Sequence, residues 1–260
     1  MGIRAISRFT GLDLATVLNI LETAGEHCAR LLDAKVRNLN VSHVQADEVF
    51  CYVGQKPNGR NKDNPERGEM WTFLSIAQHE KLIINYRVSK RTGADAEEFL
   101  TDLKSRLASR IQLTTDGFRG YVAMHSNAGS VWNVFGSSID YAVETKKIDK
   151  DPSYVGQRAY FAPKRVTVRR DLRYGIPDMS QATTNHAERT NLSLRTFTRR
   201  FVRSTINFSK KRDNHEHAVA VFVAFFNFCR VHKSLDGRTP AMAAGLTDHV
   251  WTVSELLQSA

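Results

Sequence analysis

Residues 41–53 read VSHVQADEVFCYV, and this stretch decides the fold. Its valines, phenylalanine and tyrosine are strand formers, and its length suits one strand through a sheet. Two acids, Asp47 and Glu48, interrupt it. An ionised carboxylate inside an apolar strand is costly unless a cation or hydrogen bonds compensate it. A strand alternates its faces, so Gln45 and Asp47 share one face while Ala46, Glu48 and Phe50 share the other. Only one of the two acids is expected to face a site, and Asp47 is the better candidate.

Two further acids stand in comparable settings. Asp116 ends the apolar run in IQLTTDGFRGY, and Glu188 lies in TTNHAERTNLSLRTFTRR, a helix that turns strongly basic. Each also has a plain structural explanation. Asp116 precedes Gly117 and can serve as a helix cap, and Glu188 can be a solvated helix residue. Taken together, the three suit a divalent-metal site that works on a phosphodiester. Mg²⁺ takes hard oxygen ligands, and two such ions about 3.5–4 Å apart can clamp the attacking and leaving oxygens of an in-line displacement.

The elements between these acids supply the layout. After a polar loop at 54–69, strands are predicted at 70–78 and 81–89, joined by a turn at His79-Glu80. The spacing of Phe99, Leu100, Leu103 and Leu107 predicts a helix over 94–107. A fourth strand follows at 110–116, a short helix at 117–126 (GFRGYVAMHS) and a fifth strand at 138–147. The polar stretch 149–178 carries no readable pattern. Helix resumes at 183, and a final long helix covers about 214–230, where the apolar tract AVAVFVAFFNF reads as buried.

Three antiparallel strands, a helix, a fourth strand and then alternating helix and strand is the order of an α/β, ribonuclease-H-like mixed sheet flanked by helices. Asp47 then falls on the central strand, Asp116 at the end of its neighbour, and Glu188 on a helix crossing the strand ends. Acids 69 and 72 residues apart in sequence would converge.

A small all-helical segment precedes this core. IRAISRFT, GLD and LATVLNILETAGEHCARLLDAKV read as helix, turn, helix. Gly11 ends the first helix, Asp13 caps the second, and Leu14, Val17, Leu18 and Leu21 form one apolar face. As a helix-turn-helix, the second helix would offer Asp13, Thr16 and Asn19 to a DNA major groove; a plain helical hairpin fits the same pattern. The expected division is 1–38 for this segment, 39–213 for the catalytic core and 214–260 for a C-terminal helical region.

Composition agrees. The chain has 260 residues and a formal net charge of +10, an excess that suits a polyanion. The excess clusters: between Arg195 and Arg212 there are seven basic residues and no acid. Arg195, Arg199 and Arg203, spaced by four, are expected to share one helical face, with Arg200, Lys210 and Lys211 extending it and His186 and Arg189 beside Glu188. A solvated basic face is the bland alternative. No apolar run reaches the roughly 18 residues of a membrane span, and MGIRAISRFTGLD lacks a signal peptide's apolar core, so no membrane partner is expected and the cytosol is the expected location. Cys28, Cys51 and Cys229 form no CxxC pair and are expected as reduced, mostly buried thiols. No P-loop, dinucleotide motif or GxSxG competes.

The segments VQADEVFCYVGQK, LTTDGFRGY, NHAERTNLSLRTFTRRFVRSTINFSKK and FFNFCRVHKSLDGRTPAMAAGL resemble the insertion-sequence-one family of DDE transposases, over roughly residues 1 to 250. The glutamate helix with its downstream arginines and FSKK is the most specific piece. The resemblance implies a ribonuclease-H-like core using two Mg²⁺ ions (Mn²⁺ a workable substitute), with Asp47, Asp116 and Glu188 as the catalytic and metal-holding triad. It implies that Asp47 and Asp116 share both ions and Glu188 holds one. His186 and the basic residues after Glu188 would then touch double-stranded DNA, both transposon ends and target. It also implies a homo-oligomer on DNA in a bacterial, nucleoid-associated setting. Family members commonly carry a cysteine-bearing zinc segment ahead of the helix-turn-helix, and those cysteines are not found here. Two other outcomes share these features: a catalytically inactive DNA-binding regulator, and a nuclease of the same fold that never joins strands.

Overall fold

The computed structural model describes residues 2–56, 64, 66–122, 129–150, 164–201 and 207–258. Six strands form one sheet: β1 His43–Val53, β2 Gly68–Ala77, β3 Ile83–Ser89, β4 Gln112–Thr115, β5 Asp140–Lys150 and β6 Lys164–Tyr174. The order across the sheet is β3-β2-β1-β4-β5-β6. β1, β2 and β3 are antiparallel, β1–β4 and β4–β5 are parallel, and β5–β6 is antiparallel. With helices α3 Gly93–Ser105, α4 Ser130–Phe135 and α5 Asn185–Phe197 set between and after the strands, this is the expected ribonuclease-H-like fold.

β1 is central and buried along most of its length, which its Val, Ala and Cys content permits. α3 begins on Thr92, whose hydroxyl accepts from the Asp95 N–H, and buries Ala96, Phe99, Leu100 and Leu103. At the outer edge, β3 is closed by a side chain. Asn227, fully buried, accepts from Ile83 N–H (3.0 Å) and donates to Ile83 C=O (2.8 Å), imitating a further strand.

The N-terminal helices are α1 Ile3–Thr10 and α2 Leu14–Lys35. Gly11 closes α1 in the left-handed region (φ 75°), and the Asp13 carboxylate accepts from the Ala15 N–H. That carboxylate is occupied by its cap. Of the expected apolar face only Val17 is buried, and Leu14 stays exposed; Thr16 and Asn19 are exposed. The second half of α2 belongs to the main core through Cys28, Leu31 and Leu32. It lies against α6 Arg212–Ala224 so closely that a Cβ on Gly25 would stand 2.6 Å from the His217 Cα. One continuous apolar cluster therefore joins α2, the sheet and α6.

Several local expectations change. Residues 117–122 of the expected short helix form turns, because Asp116 Oδ1 accepts from the Phe118 N–H and bends the chain; residues 123–126 lie outside the described residues. The final helix is α6, which widens into a π-turn at Phe225–Cys229; α7 Pro240–Ala243 and α8 Val253–Gln258 follow. The stretch without readable pattern contains β6. The three cysteines are free thiols, with Cys28 and Cys51 buried. Among the described residues no single helix is long and apolar enough to cross a membrane.

Candidate active site

The cleft forms where β4 stops. β1 pairs with β4 only through Ala46↔Thr115, so the next residues of β1, Asp47 and Glu48, lie beside the turn that carries Asp116. Oxygens of Asp47, Glu48 and Asp116 all lie within 4.8 Å of one another. Of the two β1 acids Asp47 lines the cleft, while the Glu48 carboxylate is buried outside that lining and approaches Asp116. Glu188 comes from α5 and lines the same cleft of about 590 Å³, with Asp47, Arg91, Asp116, Lys146 and Thr184.

The helix that carries Glu188 is held by β1 itself. Gln45 Oε1 accepts from the backbone N–H groups of His186 (2.8 Å) and Ala187 (3.1 Å), two of the orphan donors at the start of α5. Its amide nitrogen donates to Gln78 Oε1 at 3.0 Å. Two residues on, the same face presents Asp47, whose Oδ2 accepts from Asn191 Nδ2 of α5 (2.7 Å) and whose Oδ1 accepts from the Glu48 N–H (2.9 Å). Position 45 thus fixes the helix that brings the third acid to position 47. Gln45→Leu is expected to leave both N–H groups buried and unpaired, costing about 2–4 kcal/mol of stability; urea unfolding would measure it, and a loss under about 0.5 kcal/mol would contradict the capping role.

Crowding of carboxylates has its electrostatic signature. Asp47 is pushed up to about 7 by burial and then by the neighbouring Asp116 and Glu188 charges, against its hydrogen bonds from Glu48 and Asn191. Glu48 is pushed up to about 8 by burial and by Asp116. Asp116 is raised mainly by burial, which its Phe118 N–H bond and Arg91 partly offset.

Two internal cations face these acids. Arg91 donates through Nε (3.2 Å) and Nη2 (3.0 Å) to Glu48 Oε2 and reaches Asp116 Oδ2 at 3.5 Å. Its guanidinium lies between the Trp71 ring (4.4 Å) and the Phe118 ring (4.2 Å), an arrangement that fixes its plane. Nη1 has no hydrogen-bond partner among the described residues. Lys146 Nζ pairs with Glu188 Oε1 at 2.6 Å, and the Thr184 hydroxyl, 2.9 Å away, shares its one proton between that oxygen and Glu144 Oε2. Behind them Glu144 binds the Thr184 N–H and hydroxyl, both at 2.9 Å, and Arg170 at 3.2 Å.

The donor set fits a hard divalent cation: carboxylate oxygens of Asp47, Glu48 and Asp116 lie within 4.8 Å of one another, and Glu188 lines the same cleft outside that group. Two buried oxygens, Glu48 Oε1 and Asn191 Oδ1, also close no hydrogen bond of normal geometry. The Tyr121 hydroxyl lies near enough to Glu48 to favour its ionised form.

The basic residues expected at DNA divide. Arg189, Arg199, Lys210 and Lys211 are exposed. The single face expected for Arg195, Arg199 and Arg203 is not formed: α5 ends at Phe197, Thr198 is extended, and a 3-10 turn runs Arg199–Phe201 so that Phe201 can bury against His215. Arg195 is half-buried, and Arg203 lies outside the described residues. Arg200 turns inward and donates to Ser209 Oγ (2.9 Å), so it is committed to the fold. His186 is half-buried with Lys81 Nζ 3.1 Å away, and burial together with that charge lowers its pKa. Sequence reasoning missed Glu48, Arg91 and Lys146. Arg91 carries no signal, since a basic residue ahead of TGADAEE reads as a solvated helix entry; Lys146 stands beside Lys147 in a strand, where a lysine pair reads as solvated edge charge.

No family model matches the sequence, and no curated protein does. Among solved structures the chain is similar to one in the simian T-cell lymphotropic virus intasome in complex with PP2A regulatory subunit B56 gamma. That match has 13% identity and a TM-score of 0.45, covering 94% of this chain and 70% of that one. It is also similar to the Mos1 strand transfer complex, with 12% identity and a TM-score of 0.29, covering 79% of this chain and 60% of that one. A pre-cleavage Mos1 transpososome gives 9% identity and a TM-score of 0.27, covering 92% and 75%. Likeness at this level transfers no activity to the chain.

Proposed function

We propose that the protein is a DNA transposase of the DDE type, with relatives in the insertion-sequence-one family that the sequence resembles. It would cut phosphodiesters at element ends and join the freed 3′-hydroxyl to target DNA. The observation that carries this reading is the meeting of Asp47, Asp116 and Glu188, from three separate elements, at one cleft. Asp47 and Asp116, with Glu188, would hold Mg²⁺ or Mn²⁺. Such ions, when bound, supply charge neutralisation and alignment for in-line phosphoryl transfer.

The chain's own side chains do the rest. Asn191 orients Asp47 through its 2.7 Å bond. Glu48 anchors Arg91, whose stacked guanidinium keeps one edge toward the cleft and can bind a phosphate oxygen there. Lys146 shields Glu188 until a stronger cation competes for it, and is then free to face the phosphate. Catalysis by positioning and charge needs no proton-transferring side chain. Pairing of two DNA ends favours a homo-oligomer on double-stranded DNA, acting in the cytoplasm.

The test is nicking of supercoiled plasmid and joining of labelled end fragments, in Mg²⁺ and in EDTA. The reading expects both products in Mg²⁺ and neither in EDTA. Nicking without joining would make the protein a nuclease, and binding without nicking would make it a regulator.

A further inference from the structure

β5 and β6 run on together beyond the body of the sheet. Only Asp140–Val143 of β5 pair with β4, whereas the β5–β6 ladder continues to Lys150↔Lys164. The seven residues after Val143 therefore form a two-stranded ribbon projecting about 23 Å. Its root is the active cleft, where Glu144, Thr145 and Lys146 are lining residues. Both faces are wet. One carries Lys147 and Arg169, each with 77% of its side chain exposed, and the other carries Ile148, Val166 and Val168, all exposed.

The ribbon is strongly basic. Residues 144–150 and 164–170 contain seven Lys and Arg against two Asp and Glu. Half of the chain's excess charge of +10 thus sits in 14 of its 260 residues. The acids are spoken for: Glu144 is buried with Arg170 and Lys146, and Asp149 of the ribbon and Asp171 at its root pair on the surface with Lys147 and Arg169. The two surface pairs are exposed and weak, so a phosphate can displace them.

We propose that this ribbon is an arm that binds double-stranded DNA and leads the duplex to the cleft. The assignment rests on the DNA reading above and extends it to residues outside the arginine-rich stretch. Three features favour DNA over a protein partner. The charge is that of a polyanion's complement. A two-stranded ribbon has the width of a B-DNA major groove. The free edge of β6 bears Arg169, Arg170 and Arg173, which would oppose their own kind if a second copy paired there.

The experiment measures duplex affinity by fluorescence anisotropy in EDTA, between 50 and 200 mM salt, for the full chain and two double variants. Lys147→Glu with Arg169→Glu changes exposed positions and leaves the strand ladder in place, which circular dichroism verifies. Its affinity is expected to fall at least tenfold, with a log–log salt slope shallower by about 1.8, from two lost phosphate contacts. Ile148→Ser with Val166→Ser is expected to bind DNA as the parent does. Unchanged affinity and slope in the charge-reversed protein, while the parent binds, would overturn the ribbon assignment and leave the transposase reading standing. A change of sedimentation mass confined to the serine variant, with the charge reversal silent toward DNA, would make the ribbon a protein-docking arm instead. A parent chain that binds no duplex would overturn both readings.

Discussion

Asp116→Ala is expected to lower Mg²⁺-dependent strand cleavage by 10²- to 10³-fold or more, on the order of the loss when a preorganised charge-stabilising group is removed from an active site. Duplex affinity should stay within about twofold of the parent. The cleavage effect follows from position: Asp116 stands beside Asp47 and Glu48, with one oxygen of each within 4.8 Å. Without it, a divalent ion would lose the ligand contributed by the turn after β4. The small effect on binding follows from charge. Asp116 is an anion in a cleft that must receive phosphates, so its removal takes away repulsion, and Arg91 remains anchored by Glu48. Its Oδ1 also accepts from the Phe118 N–H, so Asp116→Asn is the milder companion and should give the same loss of cleavage. Cleavage surviving in both variants would remove Asp116 from the mechanism.

Asp47→Asn should make the metal-free protein more stable at pH 8. In the folded chain Asp47 is raised from 3.8 to about 7, chiefly by burial and by Asp116. The folded protein therefore holds this proton more tightly than the unfolded chain does. The stabilising contribution is complete below about pH 4 and is lost as pH rises through 7. At pH 8 the parent carries the full penalty, and an amide carries none. Asparagine gives up one accepting oxygen, but Asn191 can turn its amide and accept through the Oδ1 that now lacks a partner. The net gain is about 2 kcal/mol, or roughly 4–8 °C in Tm for a chain of this size. The gain should shrink toward pH 4. Mg²⁺ should reverse the ranking, raising the parent's Tm at pH 8 and leaving the variant's unmoved. Thermal unfolding at pH 5 and pH 8, with Mg²⁺ and with EDTA, measures all of this; a variant less stable than the parent at pH 8 in EDTA would contradict it.

The parts of the site that could be read in advance are those where burial and period agree. VSHVQADEVFCYV is apolar enough to be central, and its alternation correctly puts Gln45 with Asp47. The value of that pairing was hidden, because nothing in sequence says that Gln45 caps a helix 141 residues away. The part played by Glu48 was hidden as well, because nothing in sequence says that its buried carboxylate pairs with Arg91, 43 residues away. β6 was illegible for a different reason. KRVTVRRDLRY does alternate, with Val166, Val168 and Leu172 on one face, but its five Lys and Arg and the exposure of those apolar residues hide the strand within a polar stretch. The arginine spacing that promised one helical face fails at Thr198, where burial of Phe201 outweighs continuation of α5.

The central claim is that acids from β1, the turn after β4 and α5 hold one or two divalent ions in this cleft. Anomalous diffraction from a Mn²⁺-soaked crystal tests it most directly. The account predicts a peak bound by Asp47 and Asp116, with Glu188 released from Lys146 toward the metal. A crystal at saturating Mn²⁺ with no peak between Asp47 and Asp116, and with Arg91 and Lys146 still paired to their carboxylates, would contradict it.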